Sequence, residues 1–118
     1  MEAGGQPCPP VIVGVGVGGT ADVVMGLAKR ALTLPLDESN SDPETTSLEK
    51  ELYDLINETG IGPQGLGGKY TALSVKVLYS YCHTAALPVA CAIQCWAARR
   101  ASARIYPDGK VAYLTHKV

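Results

Sequence analysis

The 118-residue chain has no excess charge of either sign: 10 Lys and Arg stand against 11 Asp and Glu, a formal net charge of -1. With a pI near 6.1 it lacks the electrostatic footprint that nucleic acid or an anionic membrane surface requires, so neither is expected as a partner. It also lacks a long apolar run. The longest, Ala85 to Ile93, is interrupted by Pro88 and falls well short of the roughly 20 residues that span a bilayer. No Cys-x-x-Cys pair occurs among Cys8, Cys82, Cys91 and Cys95, which leaves structural zinc poorly supported. The first residues, Met1 to Pro7, carry no basic region, apolar stretch or Arg-rich amphipathic face, so no targeting segment is read there. A cytoplasmic location with reduced thiols is the expectation, and metal or cluster chemistry gains weight over disulfides.

What remains is the composition of a single small folded domain, with 47% apolar and 18% charged residues. Val11-Ile12-Val13, between Pro10 and Gly14, reads as a buried strand. A glycine-rich turn then leads to Thr20, a helix N-cap. Val23, Val24, Leu27, Ala28, Ala31 and Leu32 follow at helical spacing until Pro35. A polar loop runs from Leu36 to Thr46. Within it, Asp42-Pro43 opens a second helix with an apolar stripe of Leu48, Leu52, Leu55 and Ile56 and a stop at Gly60. Residues 60–69 hold five glycines. Thr71 to Tyr79 alternates as a half-buried strand does, and Cys82-His83 follows in a turn. Leu87 to Ala98 fits either a helix or a buried strand. Ser102 to Tyr106 and Lys110 to Thr115 form a hairpin about Pro107-Asp108-Gly109. The order predicts an α/β fold, a mixed sheet with flanking helices.

Several residues carry chemistry or a plainer alternative. Gly14, Gly16 and Gly19 satisfy G-x-G-x-x-G between strand and helix, with Asp37 at the distance of a ribose-binding acid. No complete βαβ unit follows, so a tight-packing or anion-binding glycine turn is preferred to a dinucleotide site. Cys91, between two alanines, is expected to be a small buried hydrophobe. By spacing alone Cys8 and Cys95 fit that reading as well. His83 fits a satisfied core histidine, and His116 a solvated one. Arg99, Arg100 and Arg104 suit either carboxylate binding or a solvated face.

Taken in order, Cys8-Pro9-Pro10, Val13 to Thr20, Gly60 to Lys69, Cys82-His83 and Ile93 to Arg100 form a more specific series than any piece alone. That series resembles the α subunit, or α region, of the class I iron–sulfur fumarate hydratases and their relatives the L-tartrate dehydratases, across essentially the whole chain. The resemblance implies a 4Fe-4S cluster held by three cysteines with one iron left open. Cys8 and Cys95 match two of those ligands, and the third is expected upstream of the C-P-P segment. His83 matches the family histidine that contacts a substrate carboxylate. Residues 16–20 and 65–69 are expected to shape the pocket.

On this resemblance, residues 1–118 form a single partial domain, the C-terminal portion of a fumarase-type α subunit. It implies partnership with the remaining N-terminal α segment and a β subunit, and a small dicarboxylate substrate. No catalytic acid or base is inherited by this chain, which alone is expected to be inactive. Reversible hydration of fumarate to malate is the first activity implied. L-tartrate dehydration and a catalytically silent assembly module are the alternatives.

Overall fold

A computed structural model describes residues 2–99 and 101–114. Arg100, His116 and Thr115, the end of the last expected strand, lie outside the described residues. The elements are β1 (Val11–Val17), α1 (Ala21–Ala31), α2 (Pro43–Glu58), β2 (Ala72–Tyr79), β3 (Val89–Gln94), β4 (Ala103–Ile105) and β5 (Val111–Tyr113). Two short 3-10 turns, Pro63–Gly65 and Trp96–Ala98, complete them.

The main sheet has the order β2-β1-β3. β1 runs parallel to β2 and antiparallel to β3, so the sheet is mixed and the expected fold class is observed. β4 and β5 pair with each other as a separate two-stranded hairpin. No helix among the described residues is long and apolar enough to cross a membrane.

Alternation along β1 sorts its side chains between two layers. Val11 and Val13 join Ala72, Val75 and Val77 in a buried cluster, against which Val15, Val17 and Leu52, Tyr53 and Ile56 of α2 pack. On the other face Val24 and Ala28 of α1 meet Ala90 of β3. Here the strand extends further than its β-branched start suggests. Gly14 and Gly16 belong to β1 itself, and a methyl at either would strike the carbonyl oxygen of Ala28 or Val24 in α1. Two of the three motif glycines therefore let a helix lie close on a strand, and they form no turn about a phosphate.

α2 departs from the stripe expected for it. Leu48 and Leu55 are 38% and 53% exposed, while Thr45 and Glu49 are buried. The reason is the outer edge of β2, whose polar backbone must be satisfied. Asn57 Oδ1 accepts from the amides of Thr71 (2.8 Å) and Ala72 (2.9 Å), and Glu49 Oε1 accepts from the Val77 amide at 2.8 Å. Asn40 Nδ2 donates to the Val77 carbonyl at 3.1 Å. The helix turns a polar flank to that edge and so rotates Leu48 and Leu55 outward. Its N-cap is as expected: Asp42 accepts from the Thr45 amide at 2.9 Å, and this together with the Thr45 hydroxyl holds the Asp42 carboxyl below its ordinary pKa.

The ambiguous segment after Leu87 resolves as a strand with one face half open. In β3 Ala90 is buried, whereas Val89 and Ile93 are 60% and 45% exposed. Cys91 is exposed rather than buried, because it faces the side of the sheet that α2 covers only over β2 and β1.

Candidate functional site

The structure gathers the expected site residues into two groups, one at each end of the sheet. At the end where β1 begins and β3 finishes, the Trp96 amide donates to the Cys8 carbonyl at 3.1 Å, bringing the segments of Cys8 and Cys95 together. Cys8 has a positive φ of 55°, a conformation a non-glycine residue adopts only under local constraint. Its neighbour Pro9 supplies that constraint: the Pro9 carbonyl accepts from the backbone amide of Gln64 (2.9 Å) and from its side-chain Nε2 (3.2 Å). Gly5 and Gly65 meet backbone to backbone beside them, so closely that neither has room for a methyl. The glycine loop thus buttresses the Cys8 turn.

Cys95 caps the short Trp96–Ala98 turn, and its sulfur accepts from the Ala97 amide at 3.4 Å. Arg99 lies over the Trp96 ring, 5.6 Å from its centroid, a cation–π contact that holds a positive charge near the cysteine turn. All four cysteines are free thiols, with Cys8 exposed and Cys95 half-buried. Two soft thiol donors on segments joined by that backbone bond suit an iron–sulfur group. Among the described residues no cluster of three or more His, Cys, Asp and Glu supplies a complete ligand set. This end therefore fits part of such a site.

His83 lies at the opposite end, where β1 and β2 finish. The turn after β1 is built by Gly18 and Gly19, with φ of 80° and 73°. Gly18 is required there, since any side chain would run into the Ser80 carbonyl. The Gly18 amide donates to the Pro88 carbonyl (2.8 Å) and the Ser80 amide to that of Val17 (2.9 Å), tying the 80–88 loop to the turn. An open cleft of about 740 Å³ results. It is lined by Gly19, Thr20, Ser80, Cys82, His83 and Leu87, among others, at the N-terminal end of α1. His83 is exposed rather than a core histidine. Its Nδ1 accepts from the Ala85 amide at 3.1 Å, which in the neutral ring places the proton on Nε2 as a free donor. Asp22 also stands at the α1 N-terminus; the Thr20 hydroxyl, then the first-turn amides, hold its carboxyl below its ordinary pKa.

The expected pocket glycines are thus divided. Gly18, Gly19 and Thr20 belong to the His83 end, Gly65 to the cysteine end, and Gly16 lies under α1. Cys91 sits midway along β3, opposite Val15; its surface is open on one side, but desolvation by the strand atoms around its sulfur pushes its thiol above the ordinary value. Ser80, Gln64 and Trp96 were not singled out as site residues from the sequence. Gln64 and Trp96 lie within the motifs Gly60 to Lys69 and Ile93 to Arg100, but the contacts that give them and Ser80 a role form only where distant segments meet in the fold.

The chain is thus a small mixed-sheet α/β unit with two cysteine-bearing turns joined at one end of the sheet and a histidine-lined cleft at the other. The family model described as "Fumarate hydratase (Fumerase)" matches residues 1–104, and the chain belongs to that family. It is 56% identical over 110 residues to the putative L(+)-tartrate dehydratase subunit alpha of Methanocaldococcus jannaschii, covering 93% of this chain and 39% of that protein. It is 33% identical over 109 residues to the L(+)-tartrate dehydratase subunit alpha of Escherichia coli K12, covering 92% of this chain and 36% of that one. The chain therefore spans less than two-fifths of the length of these relatives.

Proposed function

We propose that this chain is part of the α subunit of an iron–sulfur hydro-lyase that adds water to, or removes it from, a four-carbon dicarboxylate. The observation that carries the reading is the approach of the Cys8 and Cys95 segments, drawn from opposite ends of the sequence to one end of the sheet in a member of the fumarate hydratase family. Cys8 and Cys95 hold two corners of a 4Fe-4S cluster, and the third thiolate comes from the rest of the α subunit. The chemistry such a group supplies when bound is Lewis-acid assistance to the departure of a hydroxyl.

The chain's own residues bind and orient. His83 donates from Nε2 to a substrate carboxylate and so steadies the charge that builds on it as the carbon proton leaves. The base that takes that proton comes from the remainder of the enzyme, and a β subunit completes it. The reduced thiols suit a cytoplasmic setting.

Fumarate–malate interconversion is the first reading, and the family's description supports it. Tartrate dehydration is the second, favoured by the names of the two α-subunit relatives. The test is anaerobic reconstitution of the complete α/β enzyme, with iron and sulfide analysis and assays on fumarate, L-malate and L-tartrate. A cluster with turnover of one of these acids is the expected result. Turnover without bound iron would overturn the reading.

A further inference from the structure

The loop of residues 60–69 places five glycines, Gly60, Gly62, Gly65, Gly67 and Gly68, at positive φ. Gln64 stands among them in the same region, with φ of 55° and ψ of 14°. Glycine would fill that position without steric cost, and a side chain there is strained. What glutamine adds is a second donor. The Pro9 carbonyl already accepts the Gln64 backbone amide at 2.9 Å, and the side-chain Nε2 reaches the same oxygen at 3.2 Å.

Among the described residues one other non-glycine residue has a positive φ, and it is Cys8, directly before Pro9. The two strained residues are thus coupled through a single carbonyl. Strained backbone of this kind persists only where its surroundings over-determine it, and it gathers at functional sites. Around Cys8 the constraints are three. Its amide donates to the Gly5 carbonyl at 3.1 Å, its carbonyl accepts from the Trp96 amide at 3.1 Å, and Pro9 beyond it is held by Gln64. With the peptide planes on both sides fixed, the Cα–Cβ bond of Cys8 has one direction. Released from them, Cys8 would relax to the negative φ that side chains favour, and its thiol would turn away.

We propose that Gln64 is a positioning residue for the cluster site: its side chain, acting through the Pro9 carbonyl, aims the Cys8 thiolate at the iron that Cys8 holds. This rests on the ligand role of Cys8 proposed above. The role requires no contact between Gln64 and substrate or cluster, since the effect passes along the backbone. Groups that orient a metal ligand in this way are worth about 10–100-fold in retention of the metal.

Gln64→Glu and Gln64→Ala, each in the complete α/β enzyme reconstituted anaerobically, test the proposal. Glutamate fills the volume of glutamine, but its carboxylate cannot donate to the Pro9 carbonyl. Alanine removes donor and volume together. Both variants are expected to take up iron and then release it to a chelator about tenfold faster than wild type. The electron paramagnetic resonance spectrum of the reduced cluster is expected to shift or broaden in both, because it reports the geometry of the thiolate ligands. The urea midpoint is expected to stay close to wild type, since the backbone amide of residue 64 still holds Pro9.

Wild-type iron release and spectrum in Gln64→Glu would overturn the proposal, whatever Gln64→Ala does, and leave the hydro-lyase reading standing. Faster release with an unaltered spectrum and a lowered urea midpoint would also overturn it, as general loosening of the fold. Absence of iron from the wild-type enzyme itself would overturn the hydro-lyase reading and the role of Gln64 with it.

Discussion

The backbone carbonyl of Cys8 accepts the amide of Trp96 at 3.1 Å, and that bond joins the first and last segments of the proposed cluster site. It is a backbone contact, so it holds the Cys8 and Cys95 turns in register whether or not the thiols carry a group. The site is in this sense prepared by the sheet. β1 leads directly from the Cys8 turn and β3 directly into the Cys95 turn, and their antiparallel pairing sets Ile12 opposite Gln94.

Cys95→Ser and Cys91→Ser separate the proposed ligand from its neighbour in sequence. In the complete enzyme Cys95→Ser is expected to lose most of the bound iron and the activity with it. Cys91→Ser is expected to keep the iron, because Cys91 lies mid-strand opposite Val15 and away from the cysteine turns. Iron analysis by inductively coupled plasma methods checks this, and equal loss from both variants would sink the ligand assignment.

The Cys91 thiol also has a pH signature. Burial raises its pKa above the usual 9.0, and the thiolate is the reactive form. At any pH below the raised value its thiolate fraction is smaller than that of an unperturbed cysteine. Alkylation by iodoacetamide, followed residue by residue in mass spectra, should therefore rise at Cys91 at a higher pH than it does at an unperturbed cysteine. A profile at or below that of free cysteine would contradict the raised pKa.

Gly16→Ala should destabilise the domain although it adds a single methyl. The new Cβ would meet the Val24 carbonyl oxygen and lie 2.9 Å from the Ala28 amide nitrogen, both backbone atoms of α1 that no rotamer change can move. Overpacking of this kind costs about 1–3 kcal/mol, read as a lower midpoint in urea. Gly26→Ala, where nothing lies within 4 Å of the added methyl, is the matched control and should be neutral or slightly stabilising.

Glu49 tests how the β2 edge is closed. Glu49→Ala leaves the buried Val77 amide without its acceptor, an effect of about 1–3 kcal/mol. Glu49→Gln keeps an oxygen in the same place and should recover most of that loss. Denaturant midpoints for the two variants decide whether the carboxylate serves as an acceptor or only as surface charge, since in the latter case both would be equally mild.

Much of the architecture was legible in the chain because its signals are local. The Asp42-Pro43 cap, Pro35, Gly60 and the alternation of 71–79 each act within a few residues, and the elements they mark are present. The rotation of α2 was not legible, since Leu48 and Leu55 have the spacing of a core stripe. What overrides them is the unpaired backbone of β2, which belongs to another part of the sequence. Cys91 was misread for a similar reason: two flanking alanines suggest a core, but its face of β3 is left open.

The sequence by itself determined the α/β class, the strand and helix order and, through its ordered motifs, membership of the fumarate hydratase family. Tertiary structure alone decided that the Cys8 and Cys95 turns are joined at one end of the sheet while His83 stands at the other. The physical reason is the geometry of strands. A β-strand carries the chain about 3.3 Å per residue without turning back. Antiparallel β1 and β3 therefore bring distant residues together at one end, and hold His83 and Cys95, near neighbours in sequence, a full strand length apart.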